Sequence, residues 1–187
     1  FYGLYPNQHP DQHWAVFDPN DPNKLFSFND GGVYRTNDLN ADNVVWDDLN
    51  KGYLTSQFYT VIIDQGDEEK FRIMGGLQDN GTFMTFSSNE TSPWTMPGLG
   101  DGSYCAFAPN GNIIYTSRQN ARIAKSEIDE NGNVLRKTRI DPAGTPDRNG
   151  YLFINPFILD PHDENIMYLA QRENIWRNDQ LNDIPFD

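Results

Sequence analysis

Asp18-Pro19-Asn20-Asp21-Pro22-Asn23-Lys24-Leu25-Phe26-Ser27-Phe28, followed after a short turn by Gly32-Val33-Tyr34-Arg35, returns later in the chain. The second occurrence is Asp160-Pro161-His162-Asp163-Glu164-Asn165-Ile166-Met167-Tyr168-Leu169-Ala170, followed by Asn174-Ile175-Trp176-Arg177. The match runs without a gap from Asp18 to Leu39 on Asp160 to Leu181, and it keeps polar turn residues on turn residues and apolar positions on apolar positions. A shift of 142 positions (18 to 160) is close to three periods of about 47 residues, so two further copies are expected in between.

Both can be read. One runs through Val61-Ile62-Ile63-Asp64, Phe71-Arg72-Ile73-Met74 and Gly81-Thr82-Phe83-Met84; the other through Tyr104 to Pro109, Asn112-Ile113-Ile114-Tyr115 and Ala121 to Lys125. Each copy is a strand, a polar turn, a strand, a short Gly/Asn turn and a third strand, with the alternation and the β-branched and aromatic enrichment of antiparallel β. A fourth strand is expected at Val44-Val45-Trp46, Pro93-Trp94-Thr95-Met96 and Leu135-Arg136-Lys137-Thr138. Four-stranded units of this length are the sequence signature of β-propeller blades. The expected fold is all-β: an arc of about four blades, near 9–52, 53–99, 100–149 and 150–187, the last one incomplete. Residues 1–8 read as the end of a preceding unit.

The rest of the composition fits. With 187 residues, 12 Phe, 9 Tyr and 4 Trp, the chain can build a packed core. Its 14 basic and 27 acidic side chains give a formal charge of −13, which argues against non-specific nucleic-acid binding. The longest apolar runs, such as Tyr59 to Ile63, are strand-sized, so no membrane insertion is expected. One cysteine, Cys105, excludes an internal disulfide and a Cys-based zinc site. The chain opens on Phe1, as expected of a processed or excised piece.

With the strands of a blade named A to D from the inside outward, the lead-in to A and the B–C turn share one face; the A–B turn lies on the other. The A–B turns, Asp18 to Asn23 and Asp160 to Asn165, need only backbone explanations. The other face collects His9-Pro10-Asp11-Gln12-His13, Asn29-Asp30-Gly31-Gly32, Gln57, Gln78-Asp79-Asn80, Asp101 and Arg118-Gln119-Asn120. In extended chain His9, Asp11 and His13 point to one side, with Asp11 placed to orient an imidazole. Each feature has a plainer reading: Asp-Gly-Gly and Asn-Gly favour hairpin turns by themselves, and His-x-Asp-x-His can be a hydrogen-bonded rung. No cofactor is required. Two cations are alternatives: calcium at Asp30 and Asp79, since hard cations take oxygen, or a transition metal on the two histidines and Asp11. Trp14, Phe17, Phe26, Phe28, Tyr34, Phe58 and Trp176 are expected mainly in the core.

The stretches His9 to His13, Asn29 to Arg35, Gln57 to Tyr59 and Gly75 to Thr82 resemble the BNR/Asp-box propeller proteins, more closely the secreted bacterial branch related to sortilin-type and xyloglucanase-like propellers. The resemblance is specific over 9–82 and blade-like only over 104–181. It implies a seven- or eight-bladed propeller or tandem pair, the remaining blades coming from the parent chain or a partner chain. It also implies export to the cell surface or medium, including by type IX secretion. The Asp-box is degenerate: Thr36-Asn37-Asp38-Leu39-Asn40 is followed late by Trp46, and Asp179 lacks the preceding serine or threonine.

The expected function is a non-catalytic module that binds protein or glycan through His9, Asp11, His13, Asn29, Asp30, Gln57, Gln78, Asp79 and Asn80. A first alternative is an inverting, polysaccharide-active glycoside hydrolase. Asp30 and Asp79 would then be acid and base, Asp101 a further carboxylate, with the catalytic pair roughly 6.5–9.5 Å apart. A second is a structural spacer with bound calcium.

Overall fold

The computed structural model describes residues 9, 11–53, 56–64, 71–109, 111–142 and 150–186. Residues 1–8, expected as the end of a preceding unit, lie outside the described residues, as do Pro10 of the His9–His13 stretch and Thr55. Among the described residues there is no α-helix, and fifteen strands form four separate antiparallel sheets. Each sheet is a meander in chain order.

Sheet 1 is β1 (Gln12–Asp18), β2 (Asp21–Asn29), β3 (Gly32–Thr36) and β4 (Asp47–Asp48). Sheet 2 is β5 (Phe58–Ile63), β6 (Ile73–Leu77), β7 (Gly81–Thr85) and β8 (Thr95–Gly98). Sheet 3 is β9 (Gly102–Phe107), β10 (Ile113–Arg118), β11 (Arg122–Ile128) and β12 (Val134–Arg139); sheet 4 has three strands, β13 (Phe157–Leu159), β14 (Met167–Gln171) and β15 (Asn174–Asn178). The chain divides into two compact units, 1–55 with sheet 1 and 56–187 with sheets 2 to 4.

The repeat extends to single hydrogen bonds. In sheet 1 the Asn20 amide donates to Asp18 Oδ1 (2.9 Å) and the Asn23 amide to Asp21 Oδ1 (3.0 Å). In sheet 4 the His162 amide donates to Asp160 Oδ1 (2.9 Å) and the Asn165 amide to Asp163 Oδ1 (3.0 Å). The Leu39 amide reaches Asn23 O, and the Leu181 amide reaches Asn165 O. Donated amides hold the Asp18 and Asp160 carboxyls below their usual range. These aspartates therefore build turns, as the plain reading of the A–B segments has it.

In the second unit the sheets stack face to face, and sheet 3 is buried on both sides. Successive residues of a strand point to opposite faces. Thus Ile114 packs with Met74, Met84, Cys105 and Ile128 against sheet 2, while Tyr115 packs with Ile123, Phe157, Met167 and Leu169 against sheet 4. The stack narrows where β6 meets β9: a Cβ on Gly76 would lie 2.2 Å from Ser103 O, and one on Gly102 would lie 2.0 Å from Gly81 O. Two glycines thus let the backbones touch there, while the methionines fill the wider part of the same interface.

Cys105 is the thiol in that layer. Burial pushes it up to about 12, against weaker hydrogen bonds from Thr60 and Gly76. A protonated, buried thiol is inert. Cys105 is expected to stay unlabelled by a disulfide reagent at pH 8 in the native chain and to react at once in denaturant; prompt labelling of the native chain would contradict this packing.

Two expectations need correction. The outer strand of sheet 1 is not Val44–Trp46 but the two-residue β4, held where Arg35 Nη2 meets Asp47 Oδ2 at 2.8 Å. In sheet 2 the outer strand starts later than expected, at Thr95. The aromatic residues are also less uniformly internal than expected: Trp14 is 71% exposed, Phe17 52% and Trp176 43%. The apolar face of a blade-like sheet is buried only where another sheet covers it.

The end of the chain is anchored by a charge. Lys125 is buried on β11; its Nζ donates to Leu181 O (2.7 Å) and Ile184 O (3.1 Å) and lies 5.0 Å from the Phe186 ring. Desolvation holds this ammonium below the usual lysine range. These two bonds hold 181–184 against β11.

Candidate functional site

The residues singled out in the sequence fall into two groups, one in each unit. In the first unit, Asn29 Oδ1 accepts the Gly31 amide (2.9 Å) and closes the β2–β3 turn. The Asp30 amide reaches back to Asp11 O at 3.3 Å, which lays the lead-in of β1 beside that turn. Gln12 staples it further, its Nε2 donating to His9 O (2.6 Å) and its Oε1 accepting from Ser27 Oγ (2.8 Å). Gly31 makes the fit close: a Cβ there would stand 3.1 Å from His9 Cβ and from Asn29 Oδ1, and those side chains would have to give way.

Here His9, Asp11, His13 and Asp30 converge. His13 Nε2 is hydrogen-bonded to Asp30 Oδ1. His9 Nδ1 stands 3.8 Å from Asp30 Oδ2 and 3.8 Å from Asp11 Oδ2. The His9 and Asp30 side chains are 11% and 24% exposed, those of Asp11 and His13 more than 60%. The carboxylate that meets an imidazole at bonding distance is thus Asp30, on His13.

The second group lies in the second unit and forms a rim of alternating lead-ins and turns. The Gln78 amide donates to Gln57 O (2.9 Å), and Asn80 Nδ2 to Gln78 O (3.0 Å). The Asp79 amide donates to Asp101 Oδ1 (3.1 Å), whose Oδ2 accepts from Gln119 Nε2 (3.0 Å). Gln119 Oε1 in turn accepts the Asp101 amide (3.3 Å), and the Asn120 amide donates to Phe153 O (3.0 Å). Asp79 and Asn120 both have φ of 60° at their turns, which short polar side chains tolerate. Burial, followed by the charges of Asp101 and Asp79, pushes the Tyr59 phenol up. Its hydroxyl is thereby kept protonated within the field of the Asp101 and Asp79 charges.

Tyr59, Asp101 and Gln119 belong to this second group beside Gln57, Gln78, Asp79 and Asn80. Their only sequence signal is membership of the same lead-in and turn segments. Asp101 is the centre of the bonding, with both carboxylate oxygens engaged. Asp30 and Asp79 fall in different units.

Neither a scan against protein-family models nor a search of the curated proteins finds a match for this chain.

Proposed function

We propose that this chain is part of a β-propeller module of an exported protein, and that it binds a protein or glycan ligand through the rim that carries Gln57, Tyr59, Gln78, Asp79 and Asn80. The observation that carries the reading is the rim itself: Asp101 ties the turn of sheet 2 to the lead-in and turn of sheet 3. Carboxylates, amides and a neutral phenol are thereby held on backbone that is already hydrogen-bonded. Preorganised polar groups of this kind suit hydroxyl-rich or amide-rich ligands, because little ordering cost remains at binding.

The arc reading is supported by the stacked four-stranded meanders of sheets 2 and 3. Closure is what removes open edges in such folds. The BNR/Asp-box resemblance supports the same architecture and a secreted or cell-surface location. The degenerate box is a turn here: the Asp38 amide donates to Thr36 Oγ1 and the Asn40 amide to Asp38 Oδ1.

The test is binding to an array of plant and bacterial cell-surface oligosaccharides, and to surface proteins of the same cells. Asp79→Asn keeps a residue that accepts the φ of 60° and removes the charge. It is expected to weaken the best array hit at least tenfold, about 1.4 kcal/mol, with the circular dichroism unchanged. Unaltered binding by this variant would remove the rim from the reading.

A further inference from the structure

We infer that the first unit carries a divalent transition-metal site, with His9 Nδ1, Asp11 Oδ2 and Asp30 Oδ2 as ligands and His13 as the residue that orients Asp30. The inference does not rest on the rim of the second unit, and its test is separate.

The three ligand atoms lie within 4.8 Å of one another. His9 Nδ1 faces both carboxylates at 3.8 Å, too long for a hydrogen bond. It is close to the spacing of two ligands on one ion: bonds of about 2.0–2.2 Å at a tetrahedral centre put neighbouring ligand atoms roughly 3.3–3.6 Å apart. The Asp11 amide points at Nδ1 from 3.4 Å. That long contact uses the same lone pair, so a metal bound at Nδ1 must displace the amide. The two carboxylates that face His9 repel each other, and a cation bound between them would offset that repulsion.

The division of labour within Asp30 strengthens the case. One oxygen, Oδ1, is bonded to His13 Nε2, and the other, Oδ2, is turned toward His9 and Asp11. A ligating carboxylate whose second oxygen is held by another side chain is the usual outer-shell arrangement of metal sites. The ligands are also held from behind, His9 by Gln12 and by the space over Gly31, and Asp30 by the turn that Asn29 closes. One imidazole with two carboxylates suits Zn2+ or Mn2+ better than calcium, which prefers an all-oxygen set. Three protein ligands leave positions for water or for a ligand oxygen, and Asp11 lies on the exposed side.

Untagged full chain, stripped of metal, is titrated calorimetrically with Zn2+, Mn2+ and Ca2+. One Zn2+ or Mn2+ per chain is expected, bound at least a hundredfold more tightly than Ca2+. His9→Gln and Asp30→Asn are each expected to lower that affinity at least a hundredfold, and His13→Gln by 10- to 100-fold. His162→Gln, in the β13–β14 turn, is expected to change nothing. Because a variant could perturb the lead-in, a second measurement uses the native chain: substoichiometric Mn2+ should broaden the ring signals of His9 and His13 at lower metal than those of His162. Preference for Ca2+, affinity insensitive to His9→Gln and Asp30→Asn, or equal broadening of all three histidines would each overturn the assignment.

Discussion

Replacing Arg72 with methionine is expected to destabilise the second unit by about 3–5 kcal/mol, among the largest effects of any single substitution in the chain. The Arg72 and Asp64 side chains are only 7% and 5% exposed, and Nη1 of Arg72 lies 3.2 Å from Asp64 Oδ2. The same nitrogen donates to Gly111 O at 2.8 Å, which ties the end of sheet 2 to the loop before β10. Methionine fills the space of the stem but leaves a buried carboxylate with its cation gone, and that desolvation cost sets the size of the loss. A thermal midpoint lower by about 10 °C or more is the expected readout. The double variant Asp64→Leu/Arg72→Met should recover a large part of it, since a buried pair replaced as a whole is close to neutral. A loss under about 1 kcal/mol for Arg72→Met would mean that the pair is hydrated in solution.

The second large effect concerns backbone contact. Gly102→Ala would place a methyl group 2.0 Å from Gly81 O and 2.8 Å from Gly76 Cα, both on sheet 2. Neither partner is a side chain that can swing aside, so the sheets must part. The expected cost is about 3 kcal/mol or more, the upper end for over-packing, read as a lowered denaturation midpoint with the slope unchanged. Gly52→Ala is the informative comparison. Gly52 has φ of +82°, but a Cβ there meets nothing within 4 Å, so it should cost only the conformational strain, about 1–2 kcal/mol. Gly102 has no positive φ, so a loss there no larger than that at Gly52 would show that sheets 2 and 3 yield to the added methyl at little cost.

How much of this could be read beforehand follows from the range of each interaction. The central hairpins were legible, β2–β3 at Asp30-Gly31 and β14–β15 at Arg172-Glu173, because turn chemistry and alternation act between residues near in sequence. The outer strands were legible in part: Leu135–Thr138 falls within β12 and Pro93–Met96 overlaps β8, but Val44–Trp46 was expected where the pairing instead goes to Asp47–Asp48, where Arg35 finds Asp47. Lys125, Arg72 and Asp64 carried no sign of burial, since a charged side chain in a strand is usually at the surface. Only their partners, Leu181 O, Gly111 O and each other, make burial tolerable.

The candidate sites divide along the same line. Sequence alone determined that His9, Asp11 and His13 alternate along one extended stretch, and that short carboxylates and amides gather at lead-ins and B–C turns, because periodicity and turn preference are local. Tertiary structure decided which of these residues meet. It set Asp30 between His13 and His9, and it made Asp101, rather than Asp79, the hub of the rim by bringing the turn of sheet 2 against the lead-in of sheet 3. Those meetings depend on how closely separate strands and sheets approach. That distance is fixed by glycine contacts and buried side chains far away in sequence.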